Sequence, residues 1–175
     1  MTRRINAPRQ LRALIFKGDS IWAGARCRRV SSCMIAEKTF VDSNILVYAY
    51  DIDSGTKHEQ AKKLLLELWD GGVGAVSTQV LHEFYVTVTR KLSKPLGRRV
   101  AREVVATYNA WDVFRPGAAD IVAASEMEER HRLSFWDALI IIAANQCGAT
   151  TLLSEDLHHG MVVEKVTISN PLLAG

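Results

Sequence analysis

Four acidic residues stand at positions from which their side chains could act together. Asp42 follows the apolar run "KTFV", and Asp156 follows "TTLLSE". Glu83 lies in "TQVLHEFYVTVTRK" and Asp137 in "SFWDALIIIAANQCG", both of which have helical patterns. Carboxylates brought this close would repel each other and raise one another's pKa unless a cation neutralised them. Oxygen ligands without His or Cys favour Mg²⁺ or Mn²⁺.

Asp137 has two competing explanations. Ser134 could be the N-cap of the helix, with the Asp137 carboxylate returning a bond to the cap's own amide in a capping box. Alternatively, Asp137 is a metal ligand, because a carboxylate in apolar surroundings is costly unless a charge compensates it. On this segment alone, the capping box is the commoner arrangement.

The other acids also have ordinary structural explanations. Asp42 could cap the following helix, as could Asn44. Glu83 could be a solvated helix residue, and Asp156 could make a turn while the neighbouring Glu155 is the acid that matters. No single acid establishes a site, so the inference depends on all four reaching one place.

The alternation of strands and helices along the chain predicts how the four acids would reach one place. Strands are predicted in "KTFVD", "GAVST", "WDVFRP", "ATTLLSED" and "KVTIS", and helices in residues 44–51, 57–70, 78–91, 96–109, 117–131 and 134–148. This order predicts an α/β fold whose central, mostly parallel sheet of about five strands has helices on both faces. Ligands of such sheets bind beyond the carboxyl ends of the strands, which is where all four acids are expected.

Composition indicates an ordinary globular protein. The chain has 175 residues, 48% hydrophobic and 23% charged, which is enough for one domain with a full core. No apolar run reaches the roughly 20 residues of a membrane span, so we expect no membrane association. The odd count of 3 cysteines, without paired-ligand spacing, argues against structural zinc and indicates a reducing compartment, so we expect a cytoplasmic location.

The positive charge is concentrated at the start of the chain. Residues 1–33 hold eight basic residues and one acid, a net +7, so that residues 34–175 carry −4 of the overall +3. We therefore divide the chain into a basic N-terminal extension, 1–35, and a folded domain, 36–175. The extension could be a disordered arm, a targeting segment, or an upstream addition to a domain that naturally starts at Met34; we favour the last.

Several motifs together resemble the PIN-domain family, and within it the VapC-type ribonuclease toxins of bacterial toxin–antitoxin pairs. They are "FVDSNILVYAYD", "STQVLHEFYVTVTRK", "SFWDALIIIAANQCGATTLLSEDL" and "ISNP". The resemblance covers about residues 36–172 and lies in the order and spacing of the pieces. It implies a three-layer α/β/α fold, and it places the family's acids at Asp42, Glu83, Asp137 and Asp156.

The resemblance also implies a chemistry and partners. The four acids would bind Mg²⁺ or Mn²⁺ and support hydrolysis of RNA phosphodiester bonds, with Asn44 and Ser154 orienting them. It further implies a homodimer and a VapB-like antitoxin whose C-terminal segment occupies the acidic groove. No His needs to serve as base, so we expect His82, His158 and His159 to be structural, surface or loop residues.

Other residues bear on substrate binding. Six basic residues within thirteen positions could attract RNA around a negative pocket, or could form a solvated helix face: Arg90, Lys91, Lys94, Arg98, Arg99 and Arg102. Trp111 and Trp136 are expected in the core, not as base-stacking platforms.

Two other functions compete with the nuclease. A phosphohydrolase could use Asp42 as nucleophile, although that chemistry would usually have a second Asp at the position of Asn44 and a late lysine, for which Lys165 is a poor candidate. A catalytically silent domain could act through protein contacts, although four retained acids argue against it.

Overall fold

The computed structural model of this protein describes residues 37–173, so the predictions made for residues 1–35 lie outside the described residues. The strands are β1 (Lys38–Val41), β2 (Gly74–Ser77), β3 (Asp112–Phe114), β4 (Ala149–Leu153), β5 (Val162–Val163) and β6 (Val166–Ser169). The α-helices are α1 (Ser43–Tyr48), α2 (Thr56–Gly71), α3 (Thr78–Arg90), α4 (Arg98–Thr107), α5 (Ala118–His131) and α6 (Phe135–Gln146). Short 3₁₀ turns occupy Ile52–Ser54 and Tyr108–Ala110.

The described strands form one sheet in the order β3-β2-β1-β4-β6-β5. Every pairing is parallel except that of β5 with β6, which is antiparallel. The predicted mostly parallel sheet flanked by helices is therefore confirmed. The prediction missed the short edge strand β5, since two residues paired only with their neighbour leave no period to detect.

Buried apolar residues explain why the sheet and helices pack. The central strands contribute Phe40, Val41, Val76 and Leu152, each fully buried. Trp111 is also buried, as predicted, and its ring packs against Trp69 at a centroid distance of 5.3 Å. Gly74 makes this packing possible, because a Cβ there would lie 2.5 Å from the Trp111 ring.

Helix α6 is only partly as the sequence predicted. All seven residues from Ala138 to Ala144 are buried, in agreement with the apolar pattern. Trp136 was predicted to lie in the core, and this is wrong: its side chain is 60% exposed. It stands on the first turn, before the part of the helix at which full burial begins.

None of the helices between residues 37 and 173 combines the length and apolar character needed to cross a bilayer.

Candidate functional site

The ends of β1, β2 and β4 meet at the carboxyl edge of the sheet. Asp42 follows β1, and its amide donates to the carbonyl of Leu153 at the end of β4, at 2.9 Å. Ser154 and Asp156 follow β4 directly, while Glu83 lies in the second turn of α3, the helix that leaves β2. Because parallel strands end at one edge, these segments from distant parts of the sequence are neighbours in space.

Asp42 is the most buried of the four acids, at 6% exposure. It is also the N-cap of α1, as one of the alternative explanations predicted: its Oδ1 accepts from the Ser43 amide at 2.5 Å. Its Oδ2 accepts from the Ser154 hydroxyl at 2.7 Å. Burial raises the pKa of Asp42 to about 6; hydrogen bonds from Ser154 and Ser43 oppose the rise, and the charges of Glu83 and Asp156 add to it.

Asn44 joins two of the acids. Its Nδ2 donates to Asp156 Oδ2 at 3.0 Å and lies 3.2 Å from Asp42 Oδ2. The same nitrogen lies 3.3 Å from the hydroxyl of Ser154, which in turn accepts from the Asp156 amide at 3.2 Å. Asn44 thus contacts both carboxylates, while Ser154 contacts the carboxylate of Asp42 and the backbone amide of Asp156.

Glu83 is tied to the same group by residues that the sequence analysis did not identify. The Ser43 hydroxyl donates to Glu83 Oε2 at 2.8 Å, and Gln79 Nε2 donates to Glu83 Oε1 at 3.0 Å. Gln79 stands four residues before Glu83, a helical spacing that could have suggested the contact. Ser43 follows Asp42 directly, but nothing in the sequence indicates that its hydroxyl reaches another helix.

Asp137 stands apart from this hydrogen-bonded group. Ser134 is the N-cap of α6, as predicted, and its hydroxyl accepts from the Asp137 amide at 3.1 Å. The reciprocal bond of a capping box, from the Ser134 amide to the Asp137 carboxylate, is not formed within residues 37–173. Because α6 leads into β4, its first turn lies at the carboxyl edge of the sheet. Asp137 therefore shares the edge with the other acids, but no hydrogen bond among the described residues joins it to them.

Glu155 is already paired, which argues against it as the functional acid. Lys57 donates to its Oε1 at 2.5 Å, and the hydroxyl of Tyr48 donates to its other oxygen. Partial burial would raise the pKa of Glu155, but the bonds from Lys57 and Tyr48 lower it by more, so it lies below its ordinary value. The Lys57 ammonium also lies 5.0 Å from the centre of the Tyr48 ring. This pairing anchors the loop after β4 to α1 and α2.

The donor chemistry of the edge suits a hard divalent cation, because Asp42, Glu83, Asp137 and Asp156 offer only oxygen. In the described part of the chain, however, no three or more His, Cys, Asp or Glu side chains are arranged so that they could hold a metal ion. The neutral donors of Ser43 and Asn44 stand between the carboxylates. Binding a cation would therefore require these side chains to rearrange.

The predicted basic group is divided by its ion pairs. Lys94 pairs with Asp53 at 2.7 Å and Arg99 with Glu103 at 3.0 Å. The other four residues are exposed and have no acidic partner among the described residues: Arg90, Lys91, Arg98 and Arg102. His82, His158 and His159 are also exposed, as expected of surface or loop residues.

Comparisons with known proteins agree with this fold. The sequence matches the family described as PIN domain over residues 39–162. A solved structure of VapC20 from Mycobacterium tuberculosis, described as a toxin that cleaves the sarcin-ricin loop, is similar with 23% identity and a TM-score of 0.51, covering 66% of this chain and 87% of that one. A toxin–antitoxin complex from Klebsiella pneumoniae is similar with 19% identity and a TM-score of 0.55, covering 77% and 98%. A comparison with curated proteins gives no match.

Proposed function

We propose that this chain, which belongs to the PIN-domain family, is a metal-dependent endoribonuclease. It would act as the toxin of a toxin–antitoxin pair. The similar structures support it, because one is described as an RNA-cleaving toxin and the other as a toxin–antitoxin complex.

The observation that carries the proposal is the hydrogen-bonded group of three acids from three separate segments. Asp42 and Asp156 are joined through Asn44, and Asp42 and Glu83 through Ser43. These bonds fix the carboxylates close together with only neutral groups between them. The group therefore concentrates negative charge at one end of the sheet, which favours binding of a cation.

In the proposed mechanism, Asp42, Glu83, Asp137 and Asp156 would hold Mg²⁺ or Mn²⁺ once the side chains between them had rearranged. When bound, such ions activate a water and stabilise the leaving oxygen of a phosphodiester. Ser154 and Asn44 keep the two aspartates oriented. Ser43 and Gln79 each donate to one oxygen of Glu83, which limits its rotation and could let it position the attacking water.

A nucleophilic Asp42, as in a phosphohydrolase, has less support. Both of its oxygens already accept hydrogen bonds, and its side chain is 6% exposed. An attack on phosphorus would require breaking these bonds and exposing the carboxylate.

RNA must be attracted by the surroundings of this acidic group. Arg90, Lys91, Arg98 and Arg102 are free of acidic partners among the described residues, so their full charge is available to phosphates. Arg90 is seven residues beyond Glu83 on α3, about 10 Å along the helix axis. We therefore assign substrate-backbone contacts to these four more strongly than to Lys94 and Arg99, which are paired.

The remaining parts of the proposal concern partners and location. The toxin would form a homodimer in the cytoplasm and be silenced by a VapB-like antitoxin, whose C-terminal segment would enter the acidic edge. A cation from that segment would compensate the same charge that a metal ion compensates.

A matched pair of variants tests the proposal and the question of Asp137. Asp137→Ala should abolish RNA cleavage while the domain stays folded, whereas Ser134→Ala removes the N-cap and should lower stability by about 1 kcal/mol with cleavage retained. Cleavage of cellular RNA by the parent should stop in EDTA and return with Mg²⁺ or Mn²⁺.

Three results would contradict the proposal or part of it. If Asp137→Ala cleaves RNA normally but melts earlier, the Asp137 side chain has only a structural role. Release of phosphate from a small ester through an acid-labile phospho-enzyme would indicate the phosphohydrolase. A parent protein that is inactive on every RNA and ester with Mg²⁺ or Mn²⁺ would indicate a silent interaction domain.

A further inference from the structure

Trp136 is the unexpected feature of the carboxyl edge. The large hydrophobic side chains exposed between residues 37 and 173 are Ile52, Ile121, Val122, Trp136, Val162 and Leu173, and Trp136 alone among them is aromatic. It immediately precedes Asp137 on the first turn of α6. The Trp136 side chain is 60% exposed, so most of its indole lacks the stabilisation that burial normally gives a large apolar side chain.

The ring is held from one side. Phe135, which packs against the core, meets it edge to face with centroids 5.3 Å apart and an interplanar angle of 77°. This contact restricts the ring while leaving most of it exposed. A restricted, exposed aromatic surface is what an unstacked nucleobase requires.

A cation without an acidic partner among the described residues lies in the connection between α5 and α6, residues 132–136 with the first turn of α6 included, which we call the α5–α6 turn. Arg132, four residues before Trp136, is exposed and has no acidic partner among the described residues. It ends α5 in the left-handed backbone conformation, with φ of 56°. Arg132 and Trp136 thus place a positive charge and an aromatic ring within five positions of the chain, directly before an acid of the proposed site.

The surroundings of the ring favour RNA over a protein partner. Exposed neighbours in the chain, Arg132 and Ser134, are polar. The exposed large apolar residues nearest in sequence, Ile121 and Val122, lie near the start of α5, about 14 Å along that helix from its end. Protein interfaces usually surround an aromatic anchor with further apolar contacts, which this turn does not provide.

We infer that the α5–α6 turn is a single-stranded RNA contact, in which Trp136 stacks on a nucleobase beside the cleaved phosphodiester and Arg132 binds an adjacent phosphate. The inference rests on the proposed function and adds a residue that selects single-stranded, unstacked RNA. Stacking is tolerant of base identity, so Trp136 selects RNA conformation more than sequence.

Binding can be measured without cleavage in the Asp42→Asn variant of the full chain. The probes are eight-residue oligo(A) and oligo(U) RNA and an abasic ribose-phosphate chain of the same length. Both RNA probes should quench the fluorescence of Trp136, and the abasic chain should not. Loss of the signal in Trp136→Phe would assign it to this indole.

Substitutions should separate stacking from charge. Trp136→Ala should weaken RNA binding about 5- to 100-fold, Trp136→Phe should retain most of the affinity, and neither should change binding of the abasic chain. Arg132→Ala should weaken RNA and abasic binding alike and reduce the salt dependence by about 0.7 in the slope of log K against log salt. Lys63→Ala removes a charge from an exposed position of α2 and serves as the control.

The outcomes distinguish this inference from the proposed function. If the parent cleaves RNA but Trp136→Ala binds and cleaves it equally well, the inference is overturned and the nuclease stands. If Trp136 fluorescence instead follows protein dilution and Trp136→Ala turns a dimer into a monomer, the ring belongs to a protein interface and the inference is overturned. Base-dependent quenching in a parent that cleaves no RNA would support the contact while removing the nuclease.

Discussion

The buried carboxylate of Asp42 should destabilise the metal-free protein at neutral pH. Its pKa rises from the ordinary value of 3.8 to about 6, chiefly because burial disfavours the charged form. That difference corresponds to about 3 kcal/mol between the two protonation states. The raised pKa means that the folded state prefers protonated Asp42, so this contribution to stability is fully present below pH 3.8 and is lost as the pH rises through about 6.

Asp42→Asn removes the charge but keeps the shape. The carboxylate of Asp42 accepts hydrogen bonds from Ser43, Ser154 and Asn44, whereas the amide of Asn has only one acceptor oxygen. One of these donors would lose its partner, so we expect the free energy of unfolding to fall by about 1 kcal/mol from this cause. In EDTA at pH 7.5 the variant should therefore be more stable than the parent by about 2 kcal/mol, since about 3 kcal/mol is regained. At pH 4 it should be less stable by about 0.5 kcal/mol, since the folded parent is then protonated while the unfolded parent is already about half ionised.

Urea denaturation of both proteins in EDTA across pH 4–8 measures this difference, and the order of stability should reverse near pH 4.5–5. Asp156→Asn is the control within the site, because it replaces a carboxylate that is exposed instead of buried. Adding Mg²⁺ at pH 7.5 should stabilise the parent and have less effect on Asp42→Asn. If Asp42→Asn is less stable than the parent by the same amount at every pH, the charge of Asp42 is not costly and the reasoning fails.

Three further substitutions test the packing and charge around the site. Ser154→Ala removes a fully buried hydroxyl that donates to Asp42 and accepts from the Asp156 amide, so it should lower the free energy of unfolding by about 1–2 kcal/mol and the cleavage rate at least tenfold, as urea titration and RNA cleavage would show. Arg102→Ala should weaken RNA binding and its salt dependence more than Arg99→Ala in a filter-binding assay, because only Arg99 is paired with an acid in the described chain. Gly74→Ala should destabilise the fold by about 1–3 kcal/mol or more in urea, because the new methyl group would overlap the ring of Trp111.

The architecture was predictable because apolar periodicity is read within each segment, and the order of the segments along the chain then indicates a parallel sheet. Apolar spacing marked the six α-helices and the central strands, and parallel order then placed Asp42, Glu83 and Asp156 at one edge. The ends of elements were less certain: β1 was expected to end at Asp42, but it ends at Val41 and Asp42 caps the next helix. A residue at such a boundary can serve the strand, the cap and the site at once, and its type alone does not distinguish these roles.

Side-chain contacts between distant segments were not predictable in the same way. The pairing of Lys94 with Asp53 joins residues 41 positions apart, and no pattern in residues 90–102 indicates it. Trp136 was misplaced for a related reason. The helical period shows that α6 is apolar on all sides, but only the packed neighbours determine that full burial begins at Ala138 and leaves the first turn exposed.

Two adjacent acids after β4 differ in whether a neighbouring cation compensates their charge. Glu155 is neutralised by Lys57 and anchors its loop, whereas the donor to the Asp156 carboxylate among the described residues is the neutral amide of Asn44. Hydrogen bonds of this kind orient a carboxylate without cancelling its charge, and at Asp42 they do not prevent burial from raising the pKa to about 6. An arginine or lysine in place of Asn44 would lower the pKa of Asp42 and close the site to cations. In this structure the carboxylates are held in place without a cation to compensate their charge. A bound cation would relieve the repulsion between them, so the free energy of cation binding would be large.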